Sequence, residues 1–183
     1  EVRTGRSIPD LLAEKITGPL GMRDTTFFPD EGQKLRLAQG HAGGHPCFLP
    51  RDTPMPPWDL GEFMRGCGGL YSTLDDLVLF ARANLALESH ALTPLLRGMH
   101  RPLSRAAWEE YSMGWIVHTF EAGKVHITYK YGIVSGYSAY IGMNVEKRLA
   151  VVVLCNSFHW DDKVGHNLVL RLTGAMEEGA GGV

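Results

Sequence analysis

The chain has 183 residues, of which 44% are hydrophobic and 21% are charged, and its formal net charge is −2. These values are typical of a globular protein with a sizeable core. The net charge gives no reason to predict binding to nucleic acid or to anionic membranes, because the basic residues are scattered along the chain. The longest apolar run, Leu149 to Cys155, is too short for a transmembrane segment and indicates a buried strand.

The first predicted helix begins at Ser7, which can cap it, with Asp10 completing a capping box. Gly18-Pro19 is expected to stop this helix. Residues 19 to 71 then carry many glycines and prolines with little periodicity, which predicts an irregular, functional or lid-like stretch.

A second helix is predicted to begin at Ser72-Thr73, and its apolar stripe consists of Leu74, Leu77, Val78, Ala81 and Leu85. A shorter helical turn is expected around Pro94 to Met99. The last helix is expected from about Asp161 to Leu172, with Val164, Leu168 and Leu172 on one side.

The period changes to two after residue 112, which predicts strands. Four are expected, joined by short turns that make neighbours antiparallel: Met113 to Phe120, Lys124 to Tyr131, Tyr137 to Met143 and Leu149 to Cys155. The predicted fold class is α+β, an antiparallel sheet flanked by helices. Residues 1–174 are interpreted as part of a single domain and 175–183 as a flexible tail.

The second predicted strand carries a candidate site. Its alternation puts Val125, Ile127 and Tyr129 on one face, and His126, Thr128 and Lys130 on the other. Lys130 therefore leaves the strand on the polar face, where Gly132 lets the backbone turn or approach a ligand closely. A lysine there binds a substrate carboxylate or activates a hydroxyl, or it is a solvated strand lysine that discourages aggregation.

Several further segments resemble motifs of one enzyme family. Lys130-Tyr131-Gly132 resembles the third catalytic motif of serine β-lactamases and penicillin-binding proteins. Further segments resemble motifs of the β-lactamase-related serine hydrolases, and they occur in the order found in that family over nearly the whole chain. They are Pro19 to Phe27, Leu37 to His41, Gly68 to Leu77, Tyr111 to Trp115, Gly136 to Tyr140 and Val152 to Asn156. The chain is therefore identified as a member of that family, which includes class C β-lactamases, esterases and D,D-peptidases.

The resemblance implies a β-lactamase/transpeptidase-like fold and an acyl-enzyme reaction on small-molecule esters, amides or β-lactams, without a metal or organic cofactor. It implies that Lys130 and Gly132 have catalytic roles and that Tyr131, Ile133 and Ser135 contact substrate. The backbone N–H of Ile133 is implied as half of an oxyanion hole. Tyr131 departs from the pattern, in which a small hydroxyl residue usually stands between the lysine and the glycine.

Two other motifs of the family do not occur in these 183 residues. No serine is followed by lysine three positions on, as in SxxK, and no tyrosine stands in a YxN motif. Family order puts both motifs before residue 1, so the chain is interpreted as the C-terminal portion of a longer hydrolase, inactive by itself. The alternative is a non-catalytic binding or scaffold protein derived from the same fold.

Two further expectations concern metals and association. His41, His45 and Cys47 lie within seven residues, but their spacing fits no standard zinc pattern, and a metal-binding module is the weakest hypothesis. The three cysteines are interpreted as reduced thiols, or as one bridge with a free thiol. Because the family's two N-terminal strands precede this chain, the strand Leu149 to Cys155 is expected to have an unpaired apolar edge that promotes self-association.

Overall fold

The computed structural model describes residues 3–45, 49–105, 110–120, 125–159 and 163–174 of an α+β protein. The predicted tail, 175–183, lies outside these residues. The chain forms two compact units. The first unit comprises Glu1–Phe80, Gly132–Ser138 and Leu154–Trp160, and the second comprises Ala81–Tyr131, Ala139–Val153 and Asp161–Val183.

The first helical segment is longer than predicted. Helix α1 (Ile8–Leu12) continues through a π-helical turn (Ala13–Thr17) into α2 (Gly18–Leu20). The predicted stop at Gly18-Pro19 is wrong, because Gly18 N–H bonds to Ala13 O and this wider turn accommodates the proline ring. The helix ends at Gly21, whose φ of 73° is the left-handed cap that glycine adopts without strain.

The stretch from 19 to 71 contains regular structure that the sequence pattern does not predict. Its elements are α3 (Glu31–Leu35), β1 (Gly40–His45), β2 (Pro54–Met55) and α4 (Gly61–Gly68). They are too short for periodicity to identify, and half of the residues of β1 are glycine. A capping box between Asp30 and Gln33 fixes the start of α3. Strand β1 lies between β2, which is antiparallel to it, and β9 (Ser157–His159), which is parallel to it.

The remaining helices are α5 (Leu74–Asn84), α6 (Thr93–Met99) and α7 (Lys163–Thr173). No helix in the parts of the chain that the structure describes is long and apolar enough to cross a lipid bilayer.

A six-stranded antiparallel sheet has its strands in chain order. The two short strands at its beginning are β3 (Ser104–Arg105) and β4 (Glu110–Tyr111). The four long strands agree with the predicted ones to within a few residues: β5 (Ile116–Phe120), β6 (Val125–Val134), β7 (Tyr137–Asn144) and β8 (Leu149–Cys155). Among the described residues no strand pairs with the outer side of β8, which is therefore an edge.

The core of the second unit forms between the sheet and α7. The predicted apolar face of β6 is confirmed, since Val125, Ile127 and Tyr129 are all buried there. The other members of this core cluster are Ile116, Tyr140, Val151, Val169 and Leu170. Thr128 is only 3% exposed, so the opposite face of β6 is also covered at this point.

The predicted apolar side of α7 is wrong. Val164, Leu168 and Leu172 are 69%, 43% and 55% exposed, and the buried residues are Gly165, Val169, Leu170 and Thr173. Gly165 explains the rotation of the helix, because a Cβ there would lie 2.2 Å from Cδ1 of Tyr140. The absence of a side chain is what allows this face to approach the sheet.

Candidate functional site

The predicted strand ends at Tyr131, but β6 continues to Val134. Lys130-Tyr131-Gly132 therefore lies inside the strand and not at its end. All three residues are exposed. Within the described part of the chain, no carboxylate lies close enough to Lys130 to form an ion pair. Gly132 lies within β6 and is not among the glycines with positive φ, so it does not turn the chain. A Cβ on Gly132 would have no atom within 4 Å, so there is open space beside the strand at this residue. The lysine ammonium is thus available to an anionic group.

The turn that follows β6 belongs to the first unit, and other residues of that unit hold it in place. Ser135 is 2% exposed, and its hydroxyl donates a hydrogen bond of 2.8 Å to the carbonyl oxygen of Pro56. Gly136 adopts a φ of 75°, and its carbonyl accepts a hydrogen bond from the N–H of His41 at 3.2 Å. Ser135 therefore anchors the turn.

Tyr137 continues this anchoring on β7. Its hydroxyl donates to the carbonyl oxygen of Ala38, and burial raises the pKa of the Tyr137 phenol. A Cβ on Gly40 would lie 2.8 Å from Cε2 of this ring, and a Cβ on Gly136 would lie 2.7 Å from Cα of Gly40. The backbone of β1 can therefore contact the turn after β6 only because residues 40 and 136 are both glycine.

Asn156 closes the same arrangement between β8 and β9. Its side-chain amide donates to the carbonyl of Gln39 at 2.9 Å, and its own carbonyl accepts from the N–H of His41 at 3.0 Å. The sequence pattern did not identify Gly40, Tyr137 or Asn156 as supports of the site, although all three belong to the family-like segments. Their partners are about 100 or more residues away, so local periodicity contains no signal for them.

The predicted metal hypothesis receives no support from His41. Its ring Nδ1 lies 3.4 Å from the carbonyl oxygen of Asn156. Cys47 lies outside the described residues. Among the residues that the structure describes, no three His, Cys, Asp or Glu side chains gather as a metal site. Cys67 and Cys155 are exposed free thiols.

Neither serine near Lys130 is arranged as a nucleophile. The Ser135 hydroxyl is bonded to Pro56, and the Ser138 hydroxyl donates to the carbonyl oxygen of Ser157 at 3.0 Å. A serine nucleophile needs a base that accepts its proton, and a hydroxyl that already donates to a backbone carbonyl lacks one.

Comparisons with known proteins indicate the family to which the chain belongs. The sequence model of the family described as Beta-lactamase matches residues 1–175. The D-alanyl-D-alanine-carboxypeptidase/endopeptidase AmpH of Escherichia coli K12 is 28% identical over 167 residues, which are 82% of this chain and 40% of that protein. A D-aminopeptidase of Cereibacter sphaeroides (strain ATCC 17029) is 28% identical over 158 residues, which are 85% of this chain and 29% of that protein.

The fold is similar to solved structures as well. The crystal structure of a class C β-lactamase from Rhodobacter sphaeroides superimposes with a TM-score of 0.79 at 16% identity, covering 94% of this chain and 56% of that one. At this identity the likeness concerns the fold. The chain thus spans about half the length of the solved structure and less than half the length of the curated relatives.

Proposed function

The chain belongs to the beta-lactamase family of serine hydrolases, and on this premise we propose that it supplies one wall of an acyl-transfer site. The site cleaves small-molecule esters, amides or β-lactams through an acyl-enzyme. The nucleophilic serine comes from outside residues 1–183, since neither SxxK nor YxN occurs within them.

The exposed tripeptide Lys130-Tyr131-Gly132 carries this proposal. It lies within a family-matched strand, Lys130 has an ammonium without a carboxylate partner among the described residues, and Gly132 has open space beside it. In the proposed site Lys130 binds the anionic group of the substrate and lowers the cost of negative charge on the attacking oxygen.

The residues after the tripeptide complete the wall. The N–H of Ile133 donates to the oxyanion, an interaction worth about 3 kcal/mol in acyl transfer. Tyr131, which is 44% exposed, contacts the substrate beside Lys130. The family resemblance predicts that Ser135 contacts substrate directly. Its burial and its hydrogen bond to Pro56 instead support an indirect role, in which Ser135 holds the turn after β6 in place.

The names of the relatives suggest the substrate class. AmpH is described as a D-alanyl-D-alanine carboxypeptidase/endopeptidase, and the Cereibacter protein as a D-aminopeptidase. Amides of D-amino acids are accordingly the first substrates to test. A lysine at position 130 favours substrates with a carboxylate near the scissile bond, because its ammonium is a compact point charge.

Exposed apolar side chains support the proposal that this chain works with further residues. The large apolar residues whose exposed fraction is at least one half include Leu35, Phe63, Leu74, Val164 and Leu172. Globular proteins rarely leave many such groups in contact with water unless another surface covers them.

The test begins with the reading frame upstream of Glu1, in which the proposal expects SxxK followed by YxN. The protein encoded by the whole frame is then treated with a fluorescent penicillin and with a fluorophosphonate probe. We expect Lys130→Ala to slow acylation about 10- to 100-fold, as for loss of a charge-assisted hydrogen bond of about 1.5–3 kcal/mol. Lys34→Ala, which removes another exposed lysine, is the control.

The 183-residue chain alone should not be labelled by either probe, and covalent labelling would overturn the assignment of the nucleophile. If the upstream frame lacks both motifs, the second candidate applies, which is a non-catalytic binding or scaffold protein. The absence of SxxK and YxN from residues 1–183 fits both candidates, and the upstream frame distinguishes them. Its signature is reversible binding of penicillin or a D-amino acid amide with no mass adduct.

A further inference from the structure

The turn after the proposed oxyanion donor is held by the first side chain of the next strand. Ile133, whose N–H has that role in the proposed function, lies two residues before the turn Ser135-Gly136, and Tyr137 begins β7 directly after it. All of these residues belong to the first unit. The direction of the Ile133 N–H therefore depends on how firmly this turn is held.

Tyr137 bonds to a segment that lies 99 positions earlier in the chain. Its hydroxyl donates to the carbonyl oxygen of Ala38 at 2.6 Å. The ring is in close contact with the backbone at Gly40, where an added Cβ would lie 2.8 Å from Cε2 of the ring. Burial raises the pKa of the Tyr137 phenol, so the hydroxyl keeps the proton that it donates.

The turn itself is bonded to the same segment. The carbonyl oxygen of Gly136 accepts from the N–H of His41 at 3.2 Å, and an added Cβ on Gly136 would lie 2.7 Å from Cα of Gly40. Residues 38–41 thus hold the turn through a backbone bond at Gly136 and a side-chain bond at Tyr137. Of these two bonds, the one made by Tyr137 can be removed by a substitution that leaves the backbone unchanged.

We propose that Tyr137 is a positioning residue for acyl transfer, because its bond to Ala38 holds the N–H of Ile133 in the direction of the developing oxyanion. This inference rests on the proposed function, and in it Tyr137 acts through the backbone of residues 133–136. A preorganised N–H donor lowers the barrier since it does not reorient as charge develops, and a hydrogen bond weakens steeply when its angle is poor. The oxyanion exists in the transition state and not in the bound substrate. Loss of the Tyr137 hydroxyl should therefore slow the reaction without weakening substrate binding.

The experiment compares Tyr137→Phe with the wild type in the protein encoded by the whole upstream frame. This substitution removes the hydroxyl and keeps the ring against Gly40. Labelling by the fluorescent penicillin and by the fluorophosphonate probe is followed over a range of probe concentrations. We expect the maximal rate constant to fall about 10-fold, which is part of the loss seen when an oxyanion donor is removed, with the half-saturating concentration within about 2-fold. The final fraction of labelled protein should not change, which separates this effect from partial unfolding.

Tyr140→Phe is the matched control, because it deletes the same hydroxyl from the same strand. Tyr140 is 4% exposed, and its hydroxyl lies 3.1 Å from Nδ1 of His166. This variant should lose at least as much stability in urea unfolding as Tyr137→Phe and should keep the wild-type labelling rate. Equal rates for Tyr137→Phe and the wild type, equal losses in the two variants, or an effect on the half-saturating concentration alone would overturn the inference.

Failure of the proposed function has a different signature. If neither probe labels the wild-type protein, the acyl-transfer assignment is wrong, and the role of Tyr137 is overturned with it. If the wild type is labelled and Tyr137→Phe is not slowed, only the role of Tyr137 is overturned.

Discussion

The Tyr137 hydroxyl donates a hydrogen bond of 2.6 Å to the carbonyl oxygen of Ala38, 99 residues earlier in the chain. Together with the contact of Gly40 against the same ring, this bond ties the beginning of β1 to the turn that follows β6. The proposed oxyanion donor, Ile133, precedes that turn by two residues. The geometry of the proposed acyl-transfer wall therefore depends on residues that do not touch a substrate.

Gly136→Ala should destabilise the protein by at least about 2 kcal/mol. The φ of 75° costs an alanine about 1–2 kcal/mol, and its Cβ would meet the Gly40 backbone at 2.7 Å. Urea unfolding measures the change. Gly132→Ala is the control and should stay within about 0.5 kcal/mol, because its Cβ enters open space. Equal losses in the two variants would contradict the assigned contact.

Gly132→Ala has a second use in the protein encoded by the whole upstream frame. Since this substitution leaves the fold intact, any decrease in its acylation rate reports on the space that the substrate needs beside β6. A variant with normal stability and normal acylation would show that Gly132 does not border the acyl group.

Asp76→Ala should cost about 2–3 kcal/mol of unfolding free energy. Asp76 is 6% exposed, and the same carboxylate oxygen accepts from the N–H of Asp24 at 2.8 Å and the hydroxyl of Thr25 at 2.7 Å. Removing the carboxylate leaves these donors without their charged acceptor. Asp75→Ala, at the exposed neighbouring position, should cost less than about 1 kcal/mol. Chemical denaturation of both variants makes the comparison, and similar losses would refute it.

His100 should make the protein less stable in mild acid. Burial lowers the pKa of His100 to about 4, while the ring stacks on Trp115 and its Nε2 pairs with Asn84 at 3.0 Å. Between pH 6.5 and 4 the unfolded chain binds a proton that the folded chain excludes. Stability therefore falls as the pH decreases through this window, by about 1–2 kcal/mol, because the half-buried ring is still partly screened by water.

The measurement is urea unfolding at pH 7, 5.5 and 4.5 for the wild type and for His100→Gln. Glutamine retains a donor for Asn84 but does not titrate, so the variant should lose less stability on acidification. Parallel pH profiles for the two proteins would show that His100 is not the group responsible.

The edge of β8 should make the isolated chain self-associate and limit its solubility. This edge has no partner among the described strands, and Leu154 near its end is 43% exposed. Leu154→Lys should shift the sedimentation profile towards monomer, because a charge on an edge strand opposes pairing with another chain. Leu95→Lys, at an exposed leucine of α6, should not. A monodisperse wild-type monomer at high concentration would contradict the expectation.

The sequence predicted the long strands well because their apolar patterns, alternating in β6 and continuous in β8, extend over five or more residues. It failed on α7, where hydropathy favours Val164, Leu168 and Leu172, and the buried face depends on the missing side chain of Gly165. A glycine that permits close packing contributes no signal to an apolar pattern.

The motif around Lys130 was identified, but not the residues that support it. Tyr137 and Asn156 act on backbone carbonyls of Ala38 and Gln39, and His118 meets His166 across 48 positions. Such pairs arise only from the tertiary arrangement. Short elements such as β1 and α3 were not predicted for another reason. They are stabilised by strand pairing and helix capping, and they are too short to show a hydrophobic period.

The division of the chain into two interleaved units has a consequence for biosynthesis. The first unit needs Leu154–Trp160 in addition to Glu1–Phe80, and the ribosome delivers that segment about 70 residues later. At roughly 5–20 residues per second, the early part of the first unit waits about 4 to 15 s for its last segment. Its apolar surfaces are then exposed to chaperones and proteases during synthesis, so the nascent chain is more vulnerable than the finished one.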